Sequence, residues 1–248
     1  MSKFEDFAKL HVAGDPLVLF NIWDPGSAIA VAKSGARALA TGSASVSMAN
    51  GVGDGQEVPL DLALANAERI VNSVELPLTV DFEGGYAADA AGLTTNGRRL
   101  ASTGAIGCNF EDQIVGTDRL YDIAEQAARI AALRAGVGGD FFINARTDLF
   151  LKAPSTAHDA GLAEQAIERG KAYVDAGING YFIPGLADLA LVERITSALK
   201  VPVNAMHLPN GPSRAQWAQA GIARVSHGPF PYMAMQEWLT GEARAALD

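Results

Sequence analysis

Polar and charged residues recur in short segments at the ends of apolar runs: Asn21, Trp23 and Asp24; Thr41 and Ser43; Asp81 and Glu83; Asn109 and Glu111; Asn144, Arg146 and Asp148; Asn204; Ser226. Side chains alternate along a strand, so Asp81 with Glu83, Asn109 with Glu111, and Asn144 with Arg146 each share one face. Three or four carboxylates converging with a single arginine repel one another unless a cation sits among them. Hard oxygen ligands, with no cysteine or clustered histidine beside them, suit Mg2+ or Mn2+ rather than zinc. Asp112 or Asp148 taken alone reads as a helix cap or a solvated loop residue. Asp81, Glu83 and Glu111 ask for more, because independent caps have no reason to sit at successive strand ends with matching parity.

The elements that would carry these residues follow from periodicity. Short apolar or β-branched runs alternate with longer alanine-rich stretches of helical spacing, the pattern of repeated βα units. Strands are expected at 17–22, 38–41, 78–81, 107–111, 141–146, 180–183, 203–205 and 224–226, with helices at 26–34, 61–74, 94–102, 118–135, 157–176, 186–199, 213–220 and 232–239. Gly35, Gly104, Gly177 and Gly221 each follow a helical stretch and lead into the next strand, as left-handed C-caps do. Eight such units predict a closed (β/α)8 TIM barrel occupying 1–248 as one domain, with the active site at the C-terminal ends of its strands. A dinucleotide fold would place a glycine-rich fingerprint directly after the first strand, where Trp23-Asp24-Pro25-Gly26 stands instead; Gly51-Val-Gly-Asp-Gly55 lies in a long loop without a strand before it.

Composition bounds the classes. The 248 residues are 49% hydrophobic and 19% charged, enough apolar material to offset chain entropy in a folded core. Nineteen Lys and Arg against 28 Asp and Glu leave a net charge of −9 and no basic patch, which argues against nucleic acid. No apolar run approaches a membrane span, and the charged N-terminal stretch does not resemble a signal peptide, so a cytoplasmic protein is expected. The lone cysteine, Cys108, fits a reducing compartment and is read as a buried structural residue, since its odd spacing from Glu111 turns it to the opposite strand face.

With these residues in view, the chain resembles the isocitrate lyase and phosphoenolpyruvate mutase superfamily from about Leu17 to Trp238. The carrying segments are Asn21-Ile-Trp-Asp-Pro-Gly-Ser-Ala28, Ala40-Thr-Gly-Ser-Ala44, Gly51 to Gly55, Val80-Asp-Phe-Glu-Gly-Gly-Tyr86, Asn109-Phe-Glu-Asp-Gln113, Asn144-Ala-Arg-Thr-Asp148, Phe182-Ile-Pro-Gly185, Pro202-Val-Asn204 and Ala223-Arg-Val-Ser226. The resemblance implies a Mg2+-dependent barrel enzyme handling 2-oxo acids or their enolates, with the last helix exchanged between subunits of a homo-oligomer, a dimer or tetramer. It implies Asp81 as the direct metal ligand, Asp54, Glu83 and Glu111 as ligands through water, and the amides of Gly42, Ser43 and Ala44 as receivers of a substrate carboxylate or phosphonate. Arg146 matches the arginine that neutralises the enolate.

The departures bear on the reaction. The loop after the fourth strand reads Gln113-Ile-Val-Gly-Thr117, lacking both the basic, cysteine-containing motif of the C–C lyases and the lysine and asparagine of phosphoryl-transferring members. Ala40 stands where the lyases place a tyrosine, and Gly42 where they place the serine of the carboxylate loop. Tyr86 is a candidate acid or a packing residue. His207 and His227 follow strands seven and eight and are read either as proton carriers at the mouth or as hydrogen-bonded structural residues. Trp23, Asn204 and His207 complete the expected substrate contacts; Trp23 and Phe230 would wall the pocket, and Trp217 and Trp238 would anchor a core or an interface. The expected function is a Mg2+-dependent lyase that makes or breaks a C–C bond next to a 2-oxo acid carbonyl through an enolate at the metal. The alternatives are a P–C bond enzyme acting on a phosphonate and a 2-oxo acid binding protein without catalysis.

Overall fold

The structure, a computed structural model, describes residues 2–248. The strands are β1 (Leu17–Leu19), β2 (Leu39–Ala40), β3 (Leu78–Asp81), β4 (Gly107–Glu111), β5 (Phe142–Arg146), β6 (Gly180–Phe182), β7 (Val203–Met206) and β8 (Arg224–Ser226). The helices are α1 (Lys3–Lys9), α2 (Pro25–Lys33), α3 (Ser43–Ala49), α4 (Leu60–Val71), α5 (Ala90–Ser102), α6 (Ile123–Val137), α7 (Leu149–Lys152), α8 (Ala160–Asp175), α9 (Leu189–Ala198), α10 (Arg214–Gln219) and α11 (Phe230–Leu247). All eight strands run parallel in the order β1-β8-β7-β6-β5-β4-β3-β2. A parallel bridge between Ile22 and Thr41, with the Ile22 amide donating to Ala40 O at 2.9 Å and the Gly42 amide to Ile22 O at 3.2 Å, closes the ring into a (β/α)8 barrel.

Two apolar layers hold it. The larger lies between strands and helices and contains Cys108, Phe110, Tyr181 and Trp217, all buried. Burial pushes the Cys108 thiol far above its ordinary range, which keeps it an inert packing group. The smaller fills the barrel's lower interior with Leu17, Leu19, Ala38, Ala40 and Phe142, and Phe7 of α1 closes it from below, its ring 5.2 Å from Phe142. His11 stacks on the same ring at 4.4 Å and donates through Nδ1 to Phe7 O at 3.0 Å.

The structure departs from the sequence expectation at several elements, the short helix α7 among them. The N-terminal helix α1 was not expected, although Ser2 and Glu5 form a reciprocal capping box ahead of Phe4 and Phe7. Strand β1 stops at Leu19, leaving Asn21 and Ile22 free to brace the barrel seam. Residues 43–49, where the sequence predicts no element, form α3, which starts at an extended Gly42 with no side-chain cap. The expected glycine stops do occur: Gly177 and Gly221 take left-handed φ values of 97° and 80°.

Candidate active site

Side chains on the inward parity of the strands line a cavity of about 220 Å3 at the C-terminal end of the barrel. Its walls include Ser43, Ala44, Asp54, Asp81, Asn109 and Arg146. Strand register sets the charges: Glu111 is the direct neighbour of Arg146 across the β4–β5 pair, and Asp81 is the neighbour of Asn109 across β3–β4.

Arg146 is held on two sides. Its Nη1 lies 3.0 Å from Glu111 Oε2, while Nε and Nη2 grip the two oxygens of Asp148, the second at 3.0 Å. Asp148 occupies the N-cap position of α7 without capping it, so its carboxylate serves the arginine rather than the helix. Burial disfavours the charge on Arg146, but Glu111, Asp148 and Asp81 together outweigh it and keep the guanidinium protonated. Burial likewise lifts the Glu111 carboxyl, against the pull of Arg146. Asp112, expected as a cap or loop residue, is fully buried: it accepts from the Asp148 amide at 2.9 Å, Tyr173 Oη at 3.0 Å and Arg169 Nη1 at 3.2 Å, tying the ends of β4 and β5 to α8.

The acidic side is arranged differently. Asp81 receives the Ser43 amide on Oδ2 at 3.1 Å, and its own amide donates to Thr41 Oγ1 at 2.9 Å; its Oδ1 is buried with no partner. Burial raises the Asp54 carboxyl pKa, with Asp81 adding to the shift. Burial, then Asp81 and Asp54, push Glu83 up to about 7. Glu83 does not reach this place by strand alternation, because β3 ends at Asp81 and Glu83 takes a left-handed φ of 49°. It is fixed by the Gln56 amide at 2.6 Å and by Tyr86 Oη at 3.2 Å. Beneath that turn Arg129 donates to Gly84 O, Ala87 O and Ala88 O, at 2.8, 3.2 and 2.8 Å, and lies over the Tyr121 ring. Among the described residues no group of three or more His, Cys, Asp or Glu side chains converges on one metal position. The fit to a hard cation rests instead on Asp81, an unpartnered buried carboxylate oxygen among mutually repelling acids.

Several expected contacts fall elsewhere. Glu111 sits behind Arg146, also taking a hydrogen bond from Gln113, and does not line the cavity. Tyr86 turns its hydroxyl onto Glu83, and burial raises its pKa further, so it holds that carboxylate rather than a substrate. Trp23 packs edge-on against Tyr232 at 5.0 Å, outside the cavity lining. Asn204 lies one layer down, spent on Ser226 Oγ at 3.2 Å. His207 has the outward parity of β7; it stacks on His227 at 4.5 Å and meets Phe230 edge-on, while Met206 and Pro229 line the cavity in their stead. Of the three amides expected to receive a carboxylate, that of Gly42 closes the barrel seam and that of Ser43 binds Asp81, leaving Ala44.

Sequence reasoning missed Gln56, Arg129 and Arg224. Arg224, fully buried, donates to Asn109 Oδ1 at 3.2 Å, as does Asn144 Nδ2 at 2.9 Å; these fix the Asn109 amide so that Nδ2 is the group it offers to the cavity. The signal was available, since Arg224 shares the parity of Ser226 and points into the barrel.

Fold and site define a class: (β/α)8 barrels with an arginine-and-carboxylate centre at the C-terminal rim. Within it, the chain belongs to the phosphoenolpyruvate phosphomutase family, whose model matches residues 7–247. An uncharacterised protein of Mycobacterium tuberculosis is 32% identical over 98% of this chain and 89% of the relative. The Escherichia coli 2-methylisocitrate lyase is 33% identical over 153 residues, 58% of this chain and 49% of that enzyme, so the match spans about half of the curated lyase. Among solved structures, a Burkholderia cenocepacia protein described provisionally as a phosphonomutase is 44% identical, with a TM-score of 0.95 and 98% of each chain covered. A phosphonopyruvate hydrolase crystallised with oxalate and Mg2+ shares the fold at a TM-score of 0.88 and 22% identity, covering 100% of this chain and 88% of that one.

Proposed function

We propose that the protein is a divalent-cation-dependent lyase of small 2-oxo or 2-hydroxy acids, making or breaking a C–C bond through an enolate. One juxtaposition carries this reading: Asp81, with its unpartnered buried Oδ1, and the protonated Arg146 line the same cavity. The donor set is all carboxylate, which suits Mg2+ or Mn2+. Asp81 would hold the cation, with Asp54 and Glu83 supporting it through water and Glu111 further back against Arg146. When bound, the cation supplies polarisation of the substrate carbonyl. Arg146, pre-set by Glu111 and Asp148, meets negative charge as it develops on the enolate side, without reorganising. Ala44 and Asn109 supply neutral donors that orient the acid. The E. coli lyase and the family match support the reaction class.

The test is turnover of oxaloacetate, substituted malates and methylcitrate-type acids with and without EDTA. Metal-dependent product supports the proposal; activity indifferent to EDTA rejects it. The 44% identical relative favours a second reading, a P–C bond enzyme, against which stands a β4–α6 loop, 113–117, that carries no lysine or asparagine. A new phosphorus NMR resonance from phosphonopyruvate would decide for it.

We also place the protein in the cytoplasm as a homo-oligomer, a dimer or tetramer exchanging α11. No helix of the described residues is long and apolar enough to cross a membrane. Helix α11 buries only Pro231 and Tyr232 and exposes Met233, Trp238 and Leu239. An open groove lined by Val18, Phe20 and Val31 together with Ser34, Arg37 and Arg214 is available to a partner's helix.

A further inference from the structure

The cavity is two-sided. Asp81 ends β3 and Ser43 follows β2, whereas Phe182 and Met206 end β6 and β7, four places round the ring of eight and therefore opposite. With Leu151, Pro184 and Pro229, these two make the far wall apolar. The polar groups that share the cavity do not offset this. Asn21 gives Nδ2 to Thr41 O at 2.8 Å and takes the His227 and Gly228 amides on Oδ1, both at 2.9 Å. Ser226 is paired with Asn204, and Arg146, the cation in the lining and the register neighbour of Phe182, is held by Glu111 and Asp148 and taken up by the head group.

We infer that the substrate is a 2-oxo acid, or the matching 2-hydroxy acid, whose group beyond C3 is uncharged and apolar. This rests on the proposed head-group site, where Asp81, a cation and Arg146 receive the 2-oxo acid end. A second carboxylate directed across the cavity would be stripped of water against Phe182, Pro184 and Met206, with Arg146 taken by the head group and Arg224 buried below the lining on Asn109 and Ser226. A branched alkyl group there exchanges water for apolar contact. Lys152 adjoins Leu151 but holds Thr117 O through Nζ at 3.0 Å and lines a neighbouring cavity instead.

Calorimetry with saturating Mg2+ separates the two levels of the argument. Oxalate reports the head-group site alone; 2-oxoglutarate and its isostere with an isopropyl group in place of the distal carboxylate report the far wall. The expected result is Mg2+-dependent oxalate binding, the isostere at least tenfold tighter than 2-oxoglutarate, and that preference abolished or reversed in Met206→Lys. Oxalate binding with 2-oxoglutarate equal to or tighter than the isostere would overturn the inference and leave the head-group reading intact. No binding of oxalate or of either acid would overturn both.

Discussion

Replacing Arg146 by Met should cost the protein a large part of its stability as well as its activity. The guanidinium lies between two nearly inaccessible carboxylates, Glu111 Oε2 at 3.0 Å and Asp148, which it grips with two nitrogens. Removing one partner of a buried ion group leaves uncompensated charge and costs about 3–5 kcal/mol. For a chain of this size that corresponds to a fall in melting temperature of roughly 6–20 °C. The neutral triple variant, Arg146→Met with Glu111→Gln and Asp148→Asn, should recover much of the loss, because no orphaned charge remains. Arg146→Lys should fall between, since one ammonium cannot reproduce contacts made by Nη1 on one acid and by Nε with Nη2 on the other. Scanning calorimetry on all four proteins is the assay. A single Arg146→Met variant melting within about 2 °C of the parent, less than about 1 kcal/mol, would refute the claim that this residue neutralises the pair.

Three other perturbations reach different parts of the molecule. Phe7→Ala removes the plug of the barrel floor and should cost about 3–5 kcal/mol in urea unfolding; a cost below about 1 kcal/mol would show that α1 only decorates the barrel. Burial holds His11 near 3 and His227 near 4, below the ordinary 6.5, so both are neutral in the fold and take up protons more readily when unfolded. Their contribution is present above pH 6.5 and is lost as pH falls through 4 and then 3, and His11→Phe should retain a larger fraction of its pH 7 stability at pH 4 than the parent does. Trp238→Glu, on the exposed side of α11, should shift the sedimentation mass to that of the monomer; an unchanged mass would remove α11 from the interface.

The barrel was legible because eight runs of strand-like residues alternate with helical periodicity over nearly the whole chain. Parity also located Asp81, Asn109 and Arg146 on one lining. It stopped being a guide where strands end: Glu83 arrives through a left-handed turn held by Gln56 and Arg129, which no alternation rule contains. His207 was misplaced for the opposite reason, since β7 runs on to Met206 and carries the alternation one residue past it, turning the imidazole outward. Short elements were the other loss. Helix α3 has seven residues and an uncapped start, so local signals gave it no boundary, although it delivers the Ser43 amide to Asp81. The clamp of Asp148 on Arg146 was hidden by its position, which suits a helix cap equally well.

The central claim is that Asp81 and its neighbours form a divalent-cation site that receives a 2-oxo acid. Titration of oxalate by calorimetry, with Mg2+ and then with EDTA, on the parent and on Asp81→Ala tests it most directly. Binding that requires Mg2+ and disappears in Asp81→Ala is the expected result; oxalate binding that survives EDTA, or that Asp81→Ala leaves unchanged, would contradict it.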